Sequence, residues 1–190
     1  MSDSGLRIKD LTSVINDIGI TDESINLLTG HRDVLSSLRL LSQRQLYNDC
    51  IQIVAHALDS QGAILWGLGC MEKIAFECNQ EEKGVVDNVN RWLNDGLEES
   101  RCLNREGLAI AGSYSPVGWL SQAVFYSGGS IVEGGAVVEP SVQLFGNTVA
   151  AAVLIAACYG DEGLSQAKRL PLFIDLGSQM ITHRIEAAYC

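Results

Sequence analysis

The sequence predicts an all-α fold, a single helical-bundle domain of about eight helices interrupted by one long glycine-rich loop. Three observations carry this prediction. Apolar residues recur three and four positions apart along nearly the whole chain, which is the period of a helix face. Serine, threonine and aspartate stand before these runs and glycine after them, where helix caps and stops belong. Apolar residues make up 47% of the 190 positions, enough to build one sizeable core.

Residues 1–20 read as a short helical appendage, with Leu11, Val14, Ile15 and Ile18 forming a stripe that ends at Gly19; the domain proper spans 21–190. Thr21-Asp22-Glu23 opens a short helix that carries Ile25 and Leu28 and stops near Gly30. Val34, Leu35, Leu38 and Leu41 mark the next helix, and Leu46, Cys50, Ile53, Val54 and Ala57 the one after it. Asp59-Ser60 is a good N-cap for a helix over Gln61–Cys78, whose first half is apolar on nearly every side, as a central helix should be. Gly67 and Gly69 each cost that helix roughly 1 kcal/mol against alanine, so a neighbouring helix is expected to pack close to the backbone there. Val85, Val86, Val89, Trp92 and Leu93 form a thinner stripe over 80–95, closed by Gly96. Glu98 and Glu99 favour the start of another helix through its dipole, and that helix is expected to run through Cys102, Leu103, Leu108 and Ile110 to Gly112.

Ser115-Pro116 is a serine cap followed by a proline that has no amide to lose at the first helical position. Val117, Leu120 and Val124 then keep helical spacing until Gly128-Gly129, and glycine can end a helix by taking positive φ. The stretch 127–142, SGGSIVEGGAVVEPSV, follows as the long loop. Its apolar residues 131, 132 and 136–138 are expected to pack down in part, and their β-branching is compatible with a short β-ribbon. An alanine-rich helix over Leu144–Tyr159 leaves room for partner helices on most faces. Pro171 either starts or kinks the last helix, whose core stripe is Leu172, Phe173, Leu176, Met180 and Ile181.

The formal net charge of −10 and the lack of a basic cluster point away from nucleic acid and from anionic membranes. The N-terminus has no apolar core of a secretory signal, and the most apolar run, Val149–Cys158, is too short to span a bilayer. Six scattered cysteines, at 50, 70, 78, 102, 158 and 190, show no C-x-x-C and no metal-ligand spacing. They read as reduced thiols buried in the core, with terminal Cys190 the one expected at the surface. A cytoplasmic location follows from these expectations.

The chain contains no G-x-S-x-G elbow, phosphate-binding loop, H-E-x-x-H or full G-x-G-x-x-G. His31, His56 and His183 read as cap, core or surface residues. Glu133 and Glu139 flank the long loop, but nothing at a recognisable spacing completes a cation or acid–base site with them. No catalytic residue, cofactor or metal is therefore assigned. The aromatic cluster at the loop suits a partner surface instead, formed by Trp119, Phe125, Tyr126, Gly128, Gly129, Ile131, Val132 and Glu133.

The order AHALDSQGAILWGLGC, RWLNDGLEESR, SPVGWLSQAVFYSGGSIV and TVAAAVLIAA resembles a bacterial family of unknown function. Its members are often mislabelled as twin-arginine signal proteins and are frequently encoded beside type VI secretion genes. Trp66, Trp92, Arg101, Pro116, Trp119, Phe125, Gly128 and Gly129 carry the likeness over residues 22–180. The family's L-P-x-R-E start reads Leu58-Asp59-Ser60-Gln61-Gly62 here, without its charged pair, and its proline-rich insert is reduced to Pro140. The resemblance implies a genomic context and carries over no catalytic residue.

Together these expectations describe a non-enzymatic adaptor or chaperone-like accessory of a type VI secretion system that binds an effector or spike component. The rival expectations are an immunity protein, whose acidity would suit a basic toxin, and a helical domain that binds or turns over a small ligand. A homo-oligomer is compatible with each.

Overall fold

The computed structural model describes residues 11, 15–132, 134–159 and 166–188, and among these the fold is all-α with no β-sheet. Ten helices follow in order: α1 (Asp22–Leu27), α2 (Val34–Gln43), α3 (Tyr47–Ala57), α4 (Ser60–Lys73), α5 (Gln80–Asp95), α6 (Glu98–Cys102), α7 (Gly107–Ala111), α8 (Pro116–Phe125), α9 (Val142–Ala157) and α10 (Gln166–Ala188). Most begin where a side chain can accept from an orphan amide. Thr21, Asp33, Asp59, Asn79, Ser115 and Ser141 each do so.

Helix α9 lies at the centre and packs against α3, α4, α8 and α10. Its sequence explains this position, because Val149, Ala150, Ala152, Val153 and Ala156 are all buried and small enough for backbones to approach. Across it, α3 and α4 pack against α10, while α5 packs against α8. Trp66 is fully buried in α4, and its indole N–H donates to the Phe173 carbonyl of α10 at 2.9 Å. That bond removes the cost of burying the polar end of a large aromatic. The expected close approach at the two glycines of α4 is present: a Cβ on Gly67 would lie 2.7 Å from Leu120 of α8, and one on Gly69 3.0 Å from Leu176 of α10.

Several boundaries differ from expectation. Helix α4 ends at Lys73 rather than at Cys78, because Ala75 takes φ +50°. The Phe76 N–H then bonds back to the Met71 carbonyl and the Ala75 N–H to Glu72, both at 3.0 Å. This is a Schellman ending built on alanine, so no glycine announces it. The helix expected over 98–112 is two short helices, α6 and α7. Between them Asn104 is fully buried, and its amide nitrogen donates to the carbonyls of Ser100 (2.9 Å) and Asn88 (3.2 Å). A side chain that competes for helix carbonyls favours a turn. Leu103 and Ile110, through which one helix was expected to run, are exposed.

Helix α10 is continuous through Pro171, so the proline neither starts nor divides it. Leu172 faces outward, while Phe173 and Ile181 are fully buried. The cysteines are less uniform than expected. Cys50 and Cys70 are buried, Cys78 and Cys102 half-buried and Cys158 exposed; Cys190 lies outside the described residues. Burial pushes the Cys50 thiol up to about 11 and raises that of Cys70 as well.

Of the first twenty residues, 1–10 and 12–14, Val14 among them, lie outside the described part. Leu11, Ile15, Ile18 and Ile20 belong to the same core as the helices. Buried Asp49 of α3 holds the start of α1, which follows this segment, accepting from Thr21 Oγ1 at 2.6 Å and Ser24 Oγ at 2.5 Å. Among the described residues no helix is long and apolar enough to cross a membrane.

Candidate functional site

The site is built on both ends of α8. At its start, Ser115 Oγ accepts from the Gly118 N–H at 3.4 Å and donates to Glu82 Oε1 at 2.6 Å. The other oxygen of Glu82 accepts from the Asn79 N–H at 2.9 Å, completing the capping box of α5. One buried carboxylate therefore ties the first turns of two helices together.

At its end, α8 stops at Phe125 with Tyr126 as the cap, three residues before the glycine expected to terminate it. What receives the helix end is Arg101 of α6. This guanidinium is only 3% exposed. It donates to the Phe125 carbonyl, to the Ser130 carbonyl at 3.1 Å, and through two nitrogens to both carboxylate oxygens of Glu98 at 2.6 Å. Cations favour the negative end of a helix dipole, and a bidentate carboxylate fixes the plane of the fork. Hydrogen bonding to Glu98 raises the Arg101 pKa further, and that same bond holds the Glu98 carboxyl below the ordinary glutamate range. Two guanidinium groups approach the Phe125 ring, Arg101 at 4.9 Å and Arg105 at 5.0 Å from its centroid.

Gly129 follows at φ +62°, and a Cβ there would fall 2.8 Å from Arg101 and 2.9 Å from Glu98. Both the backbone conformation and the crowding disfavour a side chain there. The loop then closes on itself. The Ile131 N–H donates to the Val138 carbonyl at 2.9 Å, while Ser130 Oγ accepts from the N–H groups of Val132 and Val138 at 3.3 Å each. This single backbone bridge stands where a β-ribbon was expected, and no described loop residue is in a strand. The apolar residues do not pack down as expected: Val132 is 44%, Val137 73% and Val138 44% exposed, with Ile131 half-buried.

The structure thus brings together some of the expected residues and separates others. Phe125 and Tyr126 are neighbours, with ring centroids 5.7 Å apart. Gly128, Gly129, Ile131 and Val132 share the loop. Trp119 sits six residues before Phe125, about 9 Å along the helix axis, and its indole donates to the Ser113 carbonyl at 2.9 Å. Phe125 is a buried anchor and not an exposed contact. Glu133 lies outside the described residues, and Glu139 is exposed. Sequence reasoning on spacing missed the root itself, Glu98 and Arg105 included. The available signal was the Glu98-x-x-Arg101 pairing at helical distance in a chain with only 13 basic residues.

Grooves elsewhere are lined by described residues. One of about 680 Å³ runs between α2 and α10, lined by Leu38, Arg39, Tyr47, Ile174 and His183 among others. A second of about 450 Å³ lies between α4 and α5, beside Leu65 and Leu93. Among the described residues no group of three or more His, Cys, Asp or Glu side chains could hold a metal ion.

Residues 37–181 match the model of a family of unknown function, DUF6931. The chain belongs to that family. The match begins within α2 and ends within α10, so it takes in the central helix, both ends of α8 and the loop. No curated protein and no solved structure matches the chain.

Proposed function

We propose that the protein is a non-enzymatic, protein-binding accessory of a type VI secretion system, engaging an effector or spike component through the loop after α8. The observation that supports this reading is the contrast between the loop's root and its tip. The root is held by a buried guanidinium, whereas Val132, Val137 and Val138 project into solvent. Exposed apolar side chains on a loop anchored at its root suit a partner's apolar pocket, because the anchoring leaves less conformational entropy to lose on docking. The secretion context comes from the resemblance of residues 22–180, and an adaptor needs none of the catalytic motifs the chain lacks.

Co-purification from the native host tests the reading. The tagged protein is expected to enrich a secretion component over control, and Val137→Asp to lose that enrichment while keeping the wild-type melting temperature. Recovery of the protein alone, or equal enrichment with Val137→Asp, would overturn it. Recovery of a toxin whose producing cells are protected by the protein would favour the immunity reading instead.

A further inference from the structure

We infer that Arg101 is the positioning residue of the recognition loop, setting its shape in advance of any partner. The inference rests on the proposed role of the loop only for what that shape is used for. Its physical basis is the convergence of four partners on one side chain. Arg101 comes from α6, yet it reaches the last carbonyl of α8, the ring of Phe125, the carboxylate of Glu98 and the carbonyl of Ser130. Those two carbonyls bracket the diglycine turn, so the guanidinium fixes where the chain leaves the helix and where the loop begins.

Ser130 also sits at the loop's closure. Its carbonyl faces Arg101, while its hydroxyl accepts from both Val132 and Val138. Holding Ser130 therefore holds the ring of hydrogen bonds that presents Val132, Val137 and Val138. A lysine at position 101 would keep the charge but not the fork, because an ammonium is a point donor that cannot pair bidentately with Glu98 while also spanning both carbonyls. Gly129 is the complementary requirement, since any Cβ there would press on the guanidinium and the carboxylate.

Hydrogen exchange on the full-length protein tests this without any partner, so its failure is distinct from failure of the binding reading. Each lost charge-assisted hydrogen bond is worth at least a roughly tenfold change. Arg101→Lys should therefore speed exchange of the Ile131 and Val138 amides roughly tenfold or more, while the amides of central α9 stay at wild-type rates. Added guanidinium ion should slow the loop amides again in Arg101→Ala, and tetramethylammonium should not. Gly129→Ala, which keeps the arginine but presses its guanidinium away from the Ser130 carbonyl, should give the same loop-confined acceleration, and it serves as the test if the Arg101 variants fail to fold. Unchanged loop amides would overturn the inference, as would loop and α9 amides accelerating together, which would make Arg101 a general fold residue.

Discussion

Glu98 carries half of the site's one buried-cation pair, and its ionisation sets a pH dependence that belongs to a single residue. An unfolded glutamate titrates around pH 4.3, and hydrogen bonding to Arg101 holds the folded Glu98 below that. Between the two values the unfolded chain binds more protons than the folded one. The pair's contribution is therefore complete above about pH 4.3 and is lost as pH falls through the lowered folded value. Glu98 is well exposed, so solvent screening keeps the effect small. Urea midpoints measured from pH 6 down to pH 3 should show the wild type losing its advantage over Glu98→Gln across about the last unit and a half of that range. A gap that stays constant with pH would exclude the ion pair as its source. Glu98 itself is a position the spacing could have pointed to, because i and i+3 lie on one helix face. The carbonyls that complete Arg101's shell could not be found that way, since they lie 24 and 29 residues further on.

The helices themselves were largely legible, because the interactions that start and stop them are local. The caps at Thr21, Asp59 and Ser115, and the left-handed stop at Gly96, fall where side-chain chemistry puts them. Legibility failed where a residue without the usual signature took the stopping role, as Ala75 does after α4, and where a side chain bonded across elements, as Asn104, between α6 and α7, does to Asn88 of α5. Two glycines with the same local propensity separate these levels. Gly84 lies in the middle of α5 with open space where its Cβ would be, so Gly84→Ala should stabilise the protein by about 0.5–1 kcal/mol. Gly67 lies against Leu120, so Gly67→Ala should instead destabilise it by about 1–3 kcal/mol through overpacking. Guanidinium denaturation of both variants checks the opposite signs.

At the level of the whole molecule, the N-terminal segment and the helical body share one core, and Asp49 is the polar bolt between α1, which directly follows that segment, and α3. Asp49→Ala would leave the hydroxyls of Thr21 and Ser24 without their shared acceptor, that of Ser24 in a buried setting. The expected cost is about 1–3 kcal/mol, read as a lower urea midpoint with a single transition retained. A separate early transition for the N-terminal segment would instead mark it as an independent appendage. The amino-acid sequence by itself determined that this chain is helical, roughly where each helix lies, and that a long glycine-rich loop follows the serine–proline helix. Each of these rests on interactions spanning four residues or fewer, or on the conformational freedom of a single glycine. Only the tertiary structure decided that Phe125 is an anchor and Val137 a tip, that Trp119 stands apart, and that Arg101 joins α6, α8 and the loop. Those outcomes depend on contacts between distant segments, formed when several helices bury their faces together, and no local pattern encodes which carbonyl a buried guanidinium will reach.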